Sequence, residues 1–296
     1  MSRVRSVRGP HPSELARAVA SALDEDRFRH DRTTRALGIG AVPVEGRVIA
    51  QARGVLSGMS AAREVARRAG LAVVRARADG SAVRPGTEVM RLRGRARAIL
   101  GAERTLLNYL MHLSGVATAT ARAVAAGRRA RPPLEVWGTR KTLPGLRDLE
   151  KKAIVDGGGR PHRRDLSDAI LVKNTHLALL PLPRALARLP LARDSAMRVE
   201  VEVRTAREAI AVARAGVRAI LIDNAPPNTA RAIVRALDRA GLRRGVFIEL
   251  SGGITPERVG QYRRVGADAV SIGALTHSAA ALPFHLELVA RAPPSS

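Results

Sequence analysis

The sequence predicts an α/β protein whose C-terminal part is a barrel of alternating strands and helices. Repeated βα units with short connections that end in glycine indicate a parallel sheet, and six of them in about 140 residues favour a closed or nearly closed barrel. Polar residues cluster where these strands end, which is the face on which such barrels build active sites. The six apolar runs are residues 134–139, 169–174, 198–203, 219–224, 246–253 and 269–274.

The N-terminal part has an α+β pattern and reads as a scaffold without chemistry of its own. A first helix is predicted over residues 12–23, where leucine and valine recur at helical spacing. Between Val42 and Leu100 we expect short strands, a helix over 61–70, and hairpins that turn at Asp79-Gly80 and Pro85-Gly86.

The helix that follows carries an arginine at an unfavourable place. We predict that it begins at Ala102, and that a second helix of small residues covers 117–126. Arg104 would then lie in a first helical turn, where a cation opposes the helix dipole, and this mismatch suggests a functional role. We place domain boundaries at 1–114 for an N-terminal domain, 115–276 for the barrel, and 277–296 for a helical return onto the N-terminal domain.

Composition narrows the class of ligand. The chain has 296 residues and a formal charge of +25, which suits nucleic acid, an anionic membrane or a polyanionic small substrate. Aromatic residues make up only 2%, so stacking platforms for single strands are almost absent, and the arginines are spread along the chain. A nucleic-acid-binding protein on an enzyme scaffold remains the alternative. It predicts duplex DNA binding that weakens steeply with salt.

The same counts set expectations for the compartment. There is no cysteine, which excludes disulfides and thiolate chemistry. No run of 18 apolar residues occurs, and residues 1–15 lack the apolar stretch of a signal peptide. We therefore expect a cytoplasmic protein with no membrane partner and no nucleic-acid partner.

Lysine is rare, and its positions are informative. The chain has only four lysines, all between Gly138 and His176. Where arginine is the usual cation, a lysine suggests a need for a compact ammonium with a tunable pKa. Lys151 and Lys152 are interpreted as an exposed helix face. Lys141 and Lys173 lie at strand ends and are expected to point into the barrel mouth.

Two carboxylates at strand ends form a possible metal site. In the VEVEV run the valines should face the helices, and Glu200 and Glu202 the barrel interior. Asp223 ends the next strand, and with Glu202 it could hold a Mg²⁺ ion that carries a substrate phosphate. An ion pair between Glu202 and Lys173 explains the spacing equally well.

Glycine-rich turns after the last two strands are candidate phosphate sites. Ser251, Gly252 and Gly253 leave backbone N–H groups accessible before a helix that should begin at Thr255. Residues 273–278 repeat this arrangement, and phosphate sites after the last two strands are a recurrent feature of barrels.

A basic loop over 157–168 carries His162. Because arginines flank it, we expect a neutral imidazole near pH 7 that donates a hydrogen bond. Arg140, Arg163 and Arg104 are planar forks suited to carboxylates, and more than one fork implies a dicarboxylate or polyanion. A solvated loop without function is the alternative.

Seven segments occur in the order ERTLLNYLMHLSGVATAT, TRKTLPGLRDLEKKAIVDGGG, HRRDLSDAILVKNTH, VEVEV, ILIDN, ELSGGI and SIGALTHS. Together they resemble the quinolinate phosphoribosyltransferases, which are the carboxylating nicotinate-nucleotide pyrophosphorylases. The resemblance covers roughly Gly40 to Leu288. It implies an N-terminal α/β sandwich, a seven-stranded α/β barrel, and a homodimer with shared active sites that could assemble further. The implied reaction joins quinolinate to phosphoribosyl pyrophosphate with Mg²⁺, giving nicotinate mononucleotide, pyrophosphate and CO₂.

The resemblance also implies roles for individual residues. Lys141, Lys173, Glu202 and Asp223 would be catalytic. The quinolinate site would comprise Thr139, Arg140, His162, Arg163 and Lys173, with Arg104 from the partner subunit. The 5′-phosphate would lie on Ser251, Gly252, Gly253, Gly273 and Ala274, and Mg²⁺ on Glu202 and Asp223.

Two positions depart from the family pattern. Gly138 stands where the family often has aspartate, and Asn174-Thr175 replaces its Asp-Asn. Both departures leave the cations intact. They keep open a paralogue that takes nicotinate or is linked to molybdenum utilisation.

Overall fold

The computed structural model describes residues 11–191 and 198–290, which divide into two compact units. The first unit comprises Arg122–Thr142 and Gly159–Ser278. The second comprises residues 11–121, Leu143–Gly158 and residues from 279 onward. The helices of the described ranges are all too short or too polar to cross a membrane.

The first unit is built on six parallel strands, as the sequence predicted. The sheet order is β6-β11-β10-β9-β8-β7, so β11 returns to pair with β6 and curls the sheet towards closure. A single bridge between Trp137 and Arg160 adds one further pairing beyond β6, at the place of the seventh strand that the family resemblance implied. The strands are β6 (Glu135–Trp137), β7 (Ile170–Val172), β8 (Val199–Val203), β9 (Ala219–Asp223), β10 (Phe247–Ser251) and β11 (Ala269–Ser271).

Strand register confirms that the glutamates of β8 face inward. Glu202 pairs with Leu221 of β9, and Leu221 pairs with Glu249 of β10. Residues paired across parallel strands point to the same face of the sheet, so these side chains share the interior. Glu200 is 2% exposed and Glu249 is fully buried.

Short helices connect the strands. Thr205 and Glu208 form a reciprocal capping box that fixes the start of α8. The helix predicted from Thr255 is instead a 3₁₀ helix over Pro256–Tyr262. The helices of this unit are α6 (Asn174–Leu177), α7 (Leu182–Leu186), α8 (Ala206–Arg214), α9 (Pro227–Arg239) and α10 (Ala274–His277).

The second unit contains an antiparallel sheet in the order β12-β1-β5-β3 and a separate ribbon of β2 with β4. Both predicted turns are present, but the prediction of simple hairpins is wrong, because β3 pairs with β5 while β4 crosses to β2. The strands are β1 (Pro43–Ala50), β2 (Gly54–Val55), β3 (Ala72–Ala76), β4 (Ala82–Val83), β5 (Glu88–Arg95) and β12 (Phe284–Ala290).

Helices cover this sheet and supply most of its hydrophobic core. The predicted first helix and the helix near 61–70 are both confirmed. Buried leucines on one face of α4 pack with apolar residues of α3, β1 and β5. The helices are α1 (Pro12–Glu25), α2 (Arg32–Ala36), α3 (Met59–Arg68), α4 (Ala96–Gly127) and α5 (Arg147–Asp156), with a 3₁₀ turn at Phe28–His30.

The two helices predicted between 102 and 126 are one continuous helix of 32 residues, α4. Gly115 does not interrupt it. A Cβ at Gly115 would lie 2.3 Å from the carbonyl oxygen of Ala280, so glycine is needed for close backbone packing. Because α4 begins at Ala96, Arg104 is well inside the helix, and the prediction that it lies in the first turn was wrong.

The prediction that Lys151 and Lys152 form an exposed helix face was also wrong. Lys151 is 1% exposed, because α5 is enclosed on more than one side and also buries Leu149 and Ile154. Lys152 pairs with Asp156 one helical turn away.

The C-terminal return contains a strand rather than the expected helix. Phe284 and Leu286 face inward while His285 and Glu287 are more exposed, a period of two that suits a strand. This strand, β12, pairs antiparallel with β1 over Phe284–Ala290. Residues 291–296 lie outside the described part of the chain.

Candidate active site

Polar side chains gather where the parallel strands end, as the sequence predicted. Because parallel strands share one carboxyl edge, the segments after them lie on the same side of the sheet. Following β6 to β11 in chain order, these segments begin with Gly138, Lys173, Arg204, Asn224, Gly252 and Ile272. All of them belong to the first unit.

Two arginines form the cationic part of this edge. Arg163 donates from Nη1 to the carbonyl of Ala169 at 3.1 Å. Burial and the nearby positive charge of Arg140 lower the pKa of Arg163. The Nε of Arg140 is buried and has no hydrogen-bond partner among the described residues. Two like charges side by side, one with an unused donor, mark a place for an anion.

The two strand-end lysines are exposed, as expected for residues at the barrel mouth. The backbone N–H of Lys141 donates to Thr139 Oγ1 at 3.0 Å, and the hydroxyl of Thr276 donates to the Lys141 carbonyl at 2.7 Å. The backbone N–H of Lys173 donates to His176 Nδ1 at 2.8 Å. These bonds fix the backbone from which each ammonium extends.

Glu202 and Asp223 form the anionic part. The side-chain amide of Asn174 donates to Glu202, and lies 3.4 Å from Asp223 Oδ2. Burial and then the charge of Asp223 raise the pKa of Glu202, although Asn174, Lys173 and Arg204 act in the opposite direction. The charge of Lys173 therefore acts on Glu202, as the ion-pair interpretation expected, but burial and Asp223 together outweigh it.

These carboxylates fit a hard cation. Both are oxygen donors, they lie close enough for Asn174 to contact both, and the charge of Asp223 adds to burial in raising the pKa of Glu202. Mg²⁺ is usually bound by one or two carboxylates together with waters and substrate phosphates. Asn174, where the family often has aspartate, places a neutral amide nitrogen against both carboxylates.

The first phosphate loop is shaped by close packing. Gly252 has φ +89°, and a Cβ there would lie 2.3 Å from Asn224 Oδ1, so only glycine fits. Gly253 also has a positive φ, and the Ser271 hydroxyl donates to Ser251 Oγ at 2.9 Å. Arg258 donates to the Gly253 carbonyl at 3.1 Å and brings a cation that was not identified from the sequence.

The second phosphate loop lies beside Lys141. A Cβ at Gly273 would lie 2.8 Å from Lys141 Cδ, so the lysine stem passes directly over this glycine. Ala274 begins the short helix α10. The structure thus brings together Lys141 and the Gly273 loop, which are 132 residues apart in the sequence.

His162 lies in the barrel interior rather than in a solvated loop. Its Nε2 is 3.2 Å from Glu249 Oε1 and 3.7 Å from Glu200 Oε2. Its Nδ1 accepts from the backbone N–H of Arg163 at 2.7 Å, which leaves Nε2 as the nitrogen that faces the two carboxylates.

Neither Glu200 nor Glu249 was assigned a role from the sequence. Burial and the charge of Glu249 raise the pKa of Glu200 to about 7. The same alternation that placed Glu202 inside also places Glu249 inside, because the FIELS strand reads with period two. The signal was therefore present in the sequence.

Arg104 belongs to the second unit. Its side chain is exposed, and its guanidinium makes no ion pair within residues 11–191 and 198–290.

Family models match almost the whole chain. The quinolinate phosphoribosyl transferase N-terminal domain matches residues 31–114, and the C-terminal domain of the same family matches residues 116–287. The two matches meet near residue 115.

Individual relatives agree. A probable nicotinate-nucleotide pyrophosphorylase [carboxylating] of Archaeoglobus fulgidus is 40% identical over 255 residues, which are 85% of this chain and 98% of that protein. The human nicotinate-nucleotide pyrophosphorylase [carboxylating] is 36% identical over 281 residues, 95% of this chain and 93% of that protein. The crystal structure of NadC from Streptococcus pyogenes superposes with a TM-score of 0.84 at 33% identity, covering 96% of this chain and 100% of that one.

We predict opposite pH responses for two carboxylates. The pKa of Glu202 is raised, so its ionisation costs stability as pH rises through that pKa. In metal-free protein, Glu202→Gln should raise the Tm at pH 8 by roughly 1–3 °C, with a smaller gain near pH 5. Thermal denaturation by circular dichroism measures both.

Glu88→Gln is the matched control. Hydrogen bonds from Arg91 and then Arg47 hold the pKa of Glu88 at about 2, below its ordinary value of 4.5. Its stabilisation is complete above the ordinary value and is lost as pH falls towards 2, so this variant should lower the Tm at pH 8 and lose that effect in acid. A drop in Tm at pH 8 for Glu202→Gln would contradict the repulsive carboxylate pair.

Proposed function

This chain belongs to the quinolinate phosphoribosyltransferase family, and we propose that Arg140, Arg163 and Lys173 bind the two carboxylates of its pyridine substrate. The enzyme transfers the phosphoribosyl group of phosphoribosyl pyrophosphate to quinolinate with decarboxylation, in NAD biosynthesis. Its products are nicotinate mononucleotide, pyrophosphate and CO₂. A non-enzymatic nucleic-acid-binding protein is accordingly not favoured.

One observation supports the carboxylate site above the others. Within residues 11–191 and 198–290, the buried Nε of Arg140 has no partner, and it lies beside the partly buried guanidinium of Arg163. A buried donor without an acceptor is costly, and two adjacent cations add repulsion. A ligand with two carboxylates removes both costs at once, because each guanidinium can take one carboxylate through paired hydrogen bonds. A pyridine with one carboxylate would leave one cation uncompensated.

The remaining groups suit the phosphoribosyl donor. The backbone N–H groups of Ser251, Gly252 and Gly253, together with the turn at Gly273 and Ala274, offer donors to a 5′-phosphate. Lys141 lies over Gly273 and could reach the pyrophosphate, where it would balance negative charge on the leaving group. Thr139 would act indirectly, by holding the Lys141 backbone.

Bond cleavage at the ribose needs anions close by. As the bond to pyrophosphate breaks, positive charge develops on the ribose, and Glu202 and Asp223 are placed to stabilise it. The same carboxylates are the residues that would hold Mg²⁺. When bound, that ion supplies neutralisation of pyrophosphate charge.

Decarboxylation follows from the product of this attack. Once the pyridine nitrogen is bonded to the ribose it carries a positive charge. The bond from the adjacent ring carbon to its carboxylate can then break, since the electron pair left on that carbon is stabilised by the cationic nitrogen. A proton from solvent replaces the lost CO₂. The arginine bound to the other carboxylate holds the pyridine ring in place throughout this step.

We further propose a homodimer in which Arg104 enters the partner's site, with assembly beyond the dimer left open. Its support is the family resemblance and the exposed, unpaired guanidinium of Arg104 within the described chain. The cytoplasm is the proposed location, because the highly charged phosphoribosyl donor does not cross membranes unaided.

We predict that Arg163→Ala and Lys173→Ala each raise the KM for quinolinate roughly 10–100-fold, because each loses a hydrogen bond to a charged group. Their Tm should change by less than about 3 °C. Chromatography for nicotinate mononucleotide, with quinolinate or nicotinate as acceptor, measures this. Product from nicotinate alone would contradict the decarboxylating reaction, and parallel losses of Tm and activity would instead indicate structural ion pairs.

Subunit mixing tests the shared site. Assayed at quinolinate well below the KM of the native protein, Arg104→Ala and Lys173→Ala proteins should each keep at most about a tenth of native activity. After subunit exchange, a heterodimer has one site with both residues intact, so a mixture should recover up to about a quarter of native activity if exchange is random. Exchange is followed by native mass spectrometry with one isotopically labelled partner. Mixtures that exchange and remain inactive would contradict the proposed role of Arg104.

A further inference from the structure

Beneath the cation pair, the barrel interior contains a charged cluster that the proposed reaction does not use. Glu249 is fully buried, and its carboxylate faces the imidazole of His162 and the hydroxyl of Ser271. Arg198 lies 3.2 Å from Glu200 Oε1 and 3.5 Å from Glu249 Oε2. It is also stacked 4.6 Å above the Trp137 ring.

His162 connects this cluster to the substrate edge. Its φ of +57° is a left-handed conformation that is uncommon for residues other than glycine and must be held by surrounding contacts. Those contacts are the Glu249 carboxylate at 3.2 Å, the edge-on Trp137 ring with centroids 5.5 Å apart, and the Arg163 backbone N–H at 2.7 Å. Both ring nitrogens of His162 thus face groups of the protein.

The orientation of the His162 ring affects the next residue, Arg163. Because His162 Nδ1 accepts from the backbone N–H of Arg163, the ring orientation determines where the Arg163 side chain starts. The guanidinium is then fixed at its other end by the Ala169 carbonyl at 3.1 Å. If the imidazole of His162 were free to move, the backbone of Arg163 would lose its contact, while the guanidinium would keep its contact with the Ala169 carbonyl.

We propose that Glu249 is a positioning residue, which holds the His162 ring from inside the barrel and thereby places Arg163 against the substrate carboxylate. This inference rests on the proposed function, since it takes Arg163 as a substrate-binding residue. Glu249 itself does not touch substrate.

Two other interpretations of this cluster account for fewer of its contacts. His162, Glu200 and Glu249 could geometrically hold a metal ion, since one ligand atom from each lies within 4.8 Å of the others. However, the Arg198 guanidinium already stands against both carboxylates, so a second cation would meet repulsion. A purely structural ion pair is also a poor reason to bury Glu249, because buried ion pairs are often no more stabilising than apolar residues of similar size.

The test uses Glu249→Ala and Glu249→Gln, each in the native protein and together with Arg163→Ala. Glu249→Ala should raise the KM for quinolinate by about tenfold, and Glu249→Gln by less, because an amide oxygen can still accept from His162. The KM for phosphoribosyl pyrophosphate should stay within about twofold. If Glu249 acts through Arg163, adding either change to Arg163→Ala should raise the quinolinate KM by less than about twofold more.

Asp268→Asn is the control. Asp268 accepts from the backbone N–H of Ile248 at 2.7 Å and from Arg243 at 3.0 Å, so it supports the same strand without touching His162. It should lower the Tm and leave the quinolinate KM unchanged. If Glu249→Ala does not fold, the quinolinate KM of Glu249→Gln, alone and with Arg163→Ala, tests the proposal.

Three outcomes overturn the proposal. The first is an equal rise of both KM values in the Glu249 variants, and the second is an effect fully additive with Arg163→Ala. In the third, Arg163→Ala raises the quinolinate KM but the Glu249 variants do not, so the inference falls and the proposed function stands. An Arg163→Ala protein with a native quinolinate KM would instead refute the proposed function on which the inference rests.

Discussion

The structure depends on holding two guanidinium groups side by side at a partly buried strand end. Such an arrangement is unfavourable in the free protein, since like charges repel and the buried Nε of Arg140 has no acceptor among the described residues. Residues on a flexible loop would simply separate. Here Arg140 follows directly after β6, and Arg163 is held by His162 and by the Ala169 carbonyl. The rigid barrel therefore keeps a repulsive pair ready for an anion.

Two carboxylates at the ends of β8 and β9 are likewise held close together by the barrel. Glu202 and Asp223 are held together although burial and the charge of Asp223 raise the pKa of Glu202, and Asn174 contacts both. The two arginines and the two carboxylates thus occupy different parts of one edge, although Arg204 also lies 3.4 Å from Asp223. This separation suits a reaction in which a dianion attacks a carbon that becomes positively charged, and it is a case of stability given up for function.

Much of this organisation could be predicted from the sequence. Six apolar runs gave the six parallel strands, because buried parallel strands read as nearly continuous apolar segments. Alternation in VEVEV placed its glutamates inside. The errors came where local patterns were overridden by packing. Gly115 reads as a helix break, but it lies inside α4, and glycine is needed there because Ala280 approaches closely. The same helix begins at Ala96 rather than at Ala102, and this earlier start removed the dipole argument for Arg104. Lys151 is buried because α5 is enclosed on several sides.

Contacts between distant segments were the least predictable. Nothing in the loop over 157–168 shows that His162 turns inward to Glu249, since the two are far apart in the chain and meet only when β10 and the loop share the barrel interior. The stem of Lys141 over Gly273 is a second case. The position of a residue at a strand end was enough to predict that it lies at the carboxyl edge of the sheet. Which side chains contact each other there depends on how the folded sheet brings distant segments together.

The central claim is that paired cations select a substrate with two carboxylates. Isothermal titration calorimetry of quinolinate and of nicotinate, each without the phosphoribosyl donor, tests it most directly. Quinolinate should bind at least about tenfold more tightly than nicotinate, and Arg163→Ala should remove most of that advantage. Equal affinities for the two acids in the native protein would contradict the account.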